Sequence, residues 1–113
     1  GFMMNSQELE TAVRLELNLV ILLVRDDAYG MIRWKQESME FKDYGLEFGN
    51  PDFVKYAQAY GANGHRLQSA GELSTLIEKA FSEGGVHLID TPLDYADSHR
   101  ILLQQVAELS ANI

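Results

Sequence analysis

The feature that most constrains this chain is a run of six apolar residues, Leu19–Val24, uninterrupted by any polar residue. A strand with one solvent-facing side alternates apolar and polar residues, whereas a strand covered on both faces does not. The run therefore predicts a strand buried on both faces, as in a parallel sheet covered by helices. It is far too short to span a membrane.

The rest of the chain alternates between helical and extended patterns. The predicted helices lie at about 6–16, within 29–41, from Asn50-Pro51 to Gly61, after Ser69, and from Asp97 or Ser98 onward. The predicted strands lie at 19–24, about 64–68 and 86–90. A loop is predicted at 43–49, and the helix after Ser69 is predicted to end at 84–85. Strands that alternate with helices predict an α/β fold with a mostly parallel sheet in a three-layer arrangement.

Three helix starts carry capping signals. Asn5 with Glu8, and Ser69 with Glu72, are spaced as capping-box pairs. The Asn50-Pro51 dipeptide supplies a cap residue followed by proline at the first helical position. The sequence thus predicts helices that begin directly after these cap residues.

The beginning of the chain bears on domain organisation. The first residue is Gly1 rather than methionine, and the first predicted element is a helix, whereas an α/β domain usually opens on a strand. Three strands also make a small sheet. We therefore expect residues 1–113 to form one partial domain, truncated on its N-terminal side.

The composition excludes several classes of partner. Seventeen acidic residues against nine basic ones give a formal net charge of −8. Nucleic acids and anionic membranes attract clustered Lys and Arg. The basic residues of this chain are outnumbered and do not cluster, so neither kind of partner is expected. With no cysteine, the chain has no disulfide, thiolate metal site or cysteine nucleophile, which fits a cytoplasmic protein.

Acidic residues follow two of the predicted strands, Asp26 and Asp27 after the first and Asp90 at the end of the third. In open α/β sheets ligands gather at the carboxyl ends of strands, and carboxylates with backbone carbonyls suit Mg²⁺ or Ca²⁺. The alternative interpretation is that Asp26 and Asp27 cap the next helix and face solvent. The three histidines share no metal-binding spacing.

Four stretches of the chain, residues 1–15, 26–32, 48–57 and 86–95, together resemble the C-terminal part of thiamine-diphosphate-dependent enzymes of the acetolactate synthase type. The resemblance implies the thiamine-diphosphate-binding fold. It also implies Mg²⁺, held in this family by an aspartate of a Gly-Asp-Gly motif, by an Asn or Asp at the far end of the motif, and by a carbonyl two residues beyond. By position Asp26 and Ala28 match the last two ligands, and the Gly-Asp-Gly is expected just upstream of Gly1.

The resemblance also assigns cofactor and substrate positions. The cofactor-binding residues it implies are Gly1, Phe2, Tyr29, Gly30 and Met31, and Ile32 matches an apolar position beside the substrate. It implies no catalytic acid or base in this chain, since the glutamate that activates the cofactor belongs to another domain, usually on a partner subunit.

The implied reaction is the decarboxylation of pyruvate and its joining to a second pyruvate, giving 2-acetolactate and CO₂, in a homo-oligomeric carboligase (a transferase). Residues 48–56 and 94–95 look more like the catabolic, butanediol-pathway type. Branched-chain amino acid biosynthesis stays open as the alternative branch, and an FAD requirement stays open as well. The alternatives are another thiamine-diphosphate 2-oxo acid decarboxylase, oxidase or acyltransferase, or a non-catalytic α/β interaction module. We expect the 113-residue piece alone to be inactive.

Overall fold

The computed structural model describes residues 1–94, so the predicted last helix lies outside the described residues. Along the chain the elements are a 3₁₀ turn (Phe2–Met4), α1 (Glu8–Arg14), β1 (Leu19–Arg25), α2 (Gly30–Ser38), α3 (Phe53–Ala59), β2 (Asn63–Arg66), a second 3₁₀ turn (Ala70–Glu72), α4 (Leu73–Glu83) and β3 (Val86–Pro92). Residues 1–25 and 50–92 form one compact unit, and residues 26–49 belong to a second. Within residues 1–94 no helix has the length and apolar character needed to cross a bilayer.

The first unit is built on a three-stranded sheet in the order β1-β3-β2, and both pairings are parallel. β3 is the central strand: Asp90 is the register partner of Leu23 on one side and of Arg66 on the other. Helices flank the sheet and supply the connections between its strands. The predicted α/β fold with a parallel sheet is therefore confirmed.

The main hydrophobic core lies where α1 and α3 meet the sheet. Its buried members are Leu9, Ala12, Phe53, Ala57, Ala62, Val86 and Leu88. The ring of Phe2 packs edge-on against Phe53, with 5.9 Å between the ring centroids. Buried Ser6 lies 2.7 Å from the hydroxyl of Tyr56 on α3, which ties the start of the chain to that helix.

The prediction that the Leu19–Val24 run is buried on both faces is wrong. β1 lies at an edge of the described sheet, and Leu22 and Val24 are exposed to 42% and 45%. The strand that is covered on both sides is β3, where every residue from Val86 to Thr91 is buried. The sequence of this strand does not look like that of a buried strand because it contains His87 and Asp90. His87 is paired with His65 and with the nearby Gly84 carbonyl, and Asp90 is paired with two arginines that are distant in sequence.

The cap predicted at Asn50 is also wrong. α3 begins two residues later, at Phe53, with Asp52 as its N-cap. One carboxylate oxygen of Asp52 accepts hydrogen bonds from the N–H groups of Val54 (3.1 Å) and Lys55 (3.3 Å). The Lys55 hydrogen bond is the largest influence that lowers the pKa of Asp52, and the positive charge of Arg66 adds to it. An aspartate next to the first turn thus takes the place of the predicted asparagine.

The two predicted capping boxes do not form either. Asn5 ends the first 3₁₀ turn, and the N-cap of α1 is Gln7, whose side chain makes no capping bond. Ser69 directly precedes the second 3₁₀ turn and makes no capping bond, and Glu72 ends that turn just before α4, so a short 3₁₀ turn separates Ser69 from the helix it was predicted to cap. The predicted glycine stops are confirmed: Gly61 follows α3 with φ of 82°, a conformation that glycine adopts without strain.

Candidate cofactor and magnesium site

The residues implied as metal ligands lie in the turn between β1 and α2. Asp26 is the first residue after β1 and is exposed, and its Oδ1 accepts a 3.4 Å hydrogen bond from the Ala28 N–H. Between them Asp27 has φ of 58°, the left-handed region that aspartate tolerates better than most residues. The turn therefore holds the Asp26 carboxylate beside the backbone of Ala28.

Gly30 has no side chain, and the Asp26 carboxylate lies against the position that the Cβ of another residue would take. A Cβ added to Gly30 would stand 2.7 Å from Oδ2 of Asp26, closer than such atoms approach. α2 starts at Gly30 with Tyr29 as N-cap, and no side chain caps it. The N–H groups of its first turn have no partner within the helix and form its positive end, which favours anionic oxygens.

This arrangement fits a magnesium diphosphate. Mg²⁺ takes oxygen ligands, and it is commonly held by one or two protein carboxylates together with phosphate oxygens and water. Asp26 offers a carboxylate and Ala28 a backbone carbonyl. Among residues 1–94 no three His, Cys, Asp or Glu side chains gather into a metal-binding group. The donors of this turn thus suit a cation that completes its shell with phosphate and water.

The other implied site residues occupy two places. Tyr29, Met31 and Ile32 lie at the start of α2 with exposed fractions of 53%, 70% and 52%. About half of the Ile32 side chain is therefore open to solvent in the described part of the chain. Gly1 and Phe2 belong to the unit that contains the sheet, where Gly1 precedes the 3₁₀ turn that begins at Phe2.

Residues 43–48, here called the strap, lie against the candidate metal turn, although their sequence predicts only a loop. Glu47 forms an isolated antiparallel bridge with Ala28, and the Tyr29 N–H donates to the Leu46 carbonyl at 3.2 Å. The rings of Tyr29 and Phe48 are 4.7 Å apart. A bridge between two isolated residues leaves no periodic pattern, so nothing in the sequence could have signalled it.

Asp90, the other acid at a predicted strand end, is not available to a cation. It lies within β3 rather than after it and is fully buried. One carboxylate oxygen accepts from Nε of Arg25 at 2.9 Å, and the other accepts from Nε of Arg66 at 3.1 Å. Arg66 also reaches Asp52 at 3.3 Å. Asp90 is therefore part of an ion-pair network that joins all three strands.

Known proteins resemble this chain over most of its length. The family model "Thiamine pyrophosphate enzyme, C-terminal TPP binding domain" matches residues 1–91. The acetolactate synthase of Bacillus subtilis (strain 168) is 37% identical over 98 residues, which cover 87% of this chain and 17% of that protein. The catabolic acetolactate synthase of Raoultella terrigena is 36% identical over 104 residues, covering 92% of this chain and 19% of that protein.

A solved structure agrees in fold. Benzoylformate decarboxylase from Polynucleobacter necessarius superposes with a TM-score of 0.74 at 25% identity, covering 81% of this chain and 18% of that one. The chain thus spans less than a fifth of the length of the relatives it matches. From the family match and the parallel α/β architecture, this chain belongs to the thiamine pyrophosphate enzymes, within their C-terminal TPP-binding domain.

Proposed function

We propose that this chain is the part of an acetolactate synthase-type enzyme that holds Mg²⁺ and the diphosphate of thiamine diphosphate. The turn from Asp26 to Gly30 carries the metal and cofactor part of the proposal, because it sets a carboxylate and a carbonyl at an uncapped helix start. The two curated relatives named acetolactate synthase support the choice of reaction.

In this proposal the Asp26 carboxylate and the Ala28 carbonyl bind Mg²⁺. The first-turn N–H groups of α2 bind the diphosphate. The remaining cofactor contacts are assigned to Tyr29, Gly30 and Met31 and to the backbone of Gly1 and Phe2, with Ile32 on the substrate side. Asp26 brings a full negative charge to the cation, where a neutral amide would bring only a dipole.

Thiamine diphosphate, when bound, supplies the chemistry that decarboxylates pyruvate and joins the remaining two-carbon unit to a second pyruvate. This chain binds and orients the cofactor, and we assign no general acid or base to it. The proposal includes the wider assembly inferred from the sequence: a partial domain of a longer polypeptide, a homo-oligomer with a partner subunit beside the cofactor, and a cytoplasmic location. Either pathway branch, and an enzyme with or without FAD, is compatible with it.

The experiment uses the intact polypeptide that carries this chain, supplied with pyruvate, thiamine diphosphate and Mg²⁺. We expect 2-acetolactate and CO₂ in a one-to-one ratio, with both lost when Mg²⁺ is chelated. Asp26→Ala should abolish Mg²⁺-dependent cofactor binding in calorimetry, whereas Glu10→Ala, on the exposed side of α1, should not. Cofactor binding that persists in Asp26→Ala would exclude the proposed metal role.

A 2-oxo acid decarboxylase is the second candidate, favoured by the structural similarity to benzoylformate decarboxylase. A panel of 2-oxo acids separates the two, since a simple decarboxylase releases an aldehyde and CO₂ without 2-acetolactate. An intact polypeptide that neither binds the cofactor with Mg²⁺ nor turns over any 2-oxo acid would favour the non-catalytic interaction module instead.

A further inference from the structure

The direction of the Ala28 carbonyl is set by the strap. The Ala28 C=O and the Tyr29 N–H belong to the same peptide group, which is planar and trans, so the two bonds point in opposite directions. The Tyr29 N–H donates to the Leu46 carbonyl at 3.2 Å. Fixing this hydrogen bond therefore fixes the Ala28 carbonyl so that its oxygen points away from Leu46.

Arg33 holds the strap from α2. Its Nε lies 3.3 Å from Oδ2 of Asp43, and its Nη2 lies 3.6 Å from Oε1 of Glu47. The Arg33 side chain is only 28% exposed, whereas those of Asp43 and Glu47 are 54% and 85% exposed. A single half-buried guanidinium thus contacts both acidic residues of the strap, one on each side of Leu46.

A second contact one helical turn further along α2 fastens the same segment. The Gln36 side-chain amide donates to the Tyr44 carbonyl at 3.5 Å, and its oxygen accepts from the Tyr44 N–H at 3.3 Å. These contacts are neutral and hold the strap near Asp43. Arg33 supplies charged contacts to the strap on both sides of Leu46.

We propose that Arg33 is a positioning residue for the magnesium site: through Asp43 and Glu47 it holds the strap whose Leu46 carbonyl aims the Ala28 carbonyl. The inference rests on the proposed function, because it takes the Ala28 carbonyl to be a Mg²⁺ ligand. Arg33 itself touches neither the metal nor the cofactor in this scheme. Partners that orient metal ligands commonly change metal affinity by about 10–100-fold when removed.

The test measures Mg²⁺ binding by calorimetry in the intact polypeptide with thiamine diphosphate present. Arg33→Met keeps most of the apolar stem and removes the cation, and we expect the Kd for Mg²⁺ to rise about 10-fold or more. Arg33→Lys should recover part of that loss. The matched control is Lys35→Met, which removes the same charge from an exposed position of α2 and should leave the Kd within about twofold.

A double-variant comparison tests the route through the strap. Asp43→Asn with Glu47→Gln removes the two partners at exposed positions, where folding is at little risk. These changes should weaken Mg²⁺ binding about as much as Arg33→Met does, and combining all three should add nothing further, since they break one interaction. Full additivity would overturn the proposed route.

Hydrogen exchange of the Tyr29 amide gives a readout that does not involve activity. Arg33→Met should speed its exchange, and Lys35→Met should not. If the wild type binds Mg²⁺ and Arg33→Met binds it equally well, the inference fails and the proposed function stands. If the wild type binds no Mg²⁺ with the cofactor present, the proposed function fails, and the inference fails with it.

Discussion

The Nε of Arg25, at the end of edge strand β1, donates to Oδ1 of Asp90 in central strand β3 across 2.9 Å. The Asp90 side chain is 1% exposed and that of Arg25 is 21% exposed, so the contact is largely shielded from water. Arg66, on β2, pairs with the other carboxylate oxygen of Asp90 at 3.1 Å. A buried carboxylate is costly unless it is paired, and here each neighbouring strand supplies one arginine.

Removing one arginine should destabilise the sheet because it leaves the buried carboxylate under-compensated. We expect Arg25→Met to cost about 2–3 kcal/mol of local stability, and Arg66→Met less, because its side chain is 44% exposed. Hydrogen exchange of the β3 amides in the intact polypeptide measures this. The control, Arg14→Met, breaks only the exposed pair with Glu10 and should cost less than about 0.5 kcal/mol. Equal effects for Arg25 and Arg14 would contradict the argument.

Gly64 is required where β2 passes under α3. A Cβ at this position would lie 2.5 Å from the backbone oxygen of Val54, which cannot move aside as a flexible side chain would. We expect Gly64→Ala to destabilise the protein by about 3 kcal/mol. Gly49→Ala, with open space around its Cβ and no positive φ, should be neutral or slightly stabilising in the same thermal unfolding experiment.

Gly30→Ala tests the metal turn without removing a ligand. The new methyl group would stand 2.7 Å from Oδ2 of Asp26 and push the carboxylate away from its position. Alanine is also the better helix former, so the helix itself should not suffer. We expect the Kd for Mg²⁺ to rise about 10-fold or more with little loss of thermal stability. Unchanged Mg²⁺ affinity would mean that the observed carboxylate position is not the one that binds metal.

The histidine pair on β2 and β3 predicts a pH dependence of stability. His87 Nε2 lies 2.9 Å from the Gly84 carbonyl, which can only accept, so it carries a proton and neutral His87 accepts at Nδ1. His65 Nε2 lies 3.0 Å from His87 Nδ1 and is then the donor. Burial lowers the pKa of His65, and His87 and Lys79 lower it further against the opposing charge of Glu83.

Because the pKa of His65 is lower in the folded protein than the ordinary value of about 6.5, the unfolded chain takes up the proton first. The free energy of unfolding is therefore undiminished by His65 above about pH 6.5. It falls as the pH drops from there toward the folded pKa, by at most about 1.4 kcal/mol per pH unit. Unfolding midpoints between pH 5 and 8 should show this slope, and His65→Gln should flatten it. An unchanged slope in the variant would assign the dependence to other groups.

Several elements could be predicted because their signals are local. The Leu19–Val24 run became β1, Gly61 and the Gly84-Gly85 pair stop their helices, and the alternation of elements gave a parallel sheet. The starts of α1 and α4 were predicted wrongly because a 3₁₀ turn precedes each of them. The start of α3 was predicted wrongly because Asp52, rather than Asn50, is its N-cap.

By itself the sequence determined the α/β class, the resemblance to thiamine-diphosphate enzymes and the candidate ligands Asp26 and Ala28. The class follows from the alternation of helical and extended patterns along the chain, and the ligand assignment is what the resemblance at residues 26–32 implies. Only the tertiary structure decided which strand is central and which residues orient the turn. Asp90 is paired with Arg25 and Arg66, the Tyr29 N–H is bound by the Leu46 carbonyl, and Arg33 contacts Asp43 and Glu47 of the strap. These contacts form only when segments distant in sequence pack together.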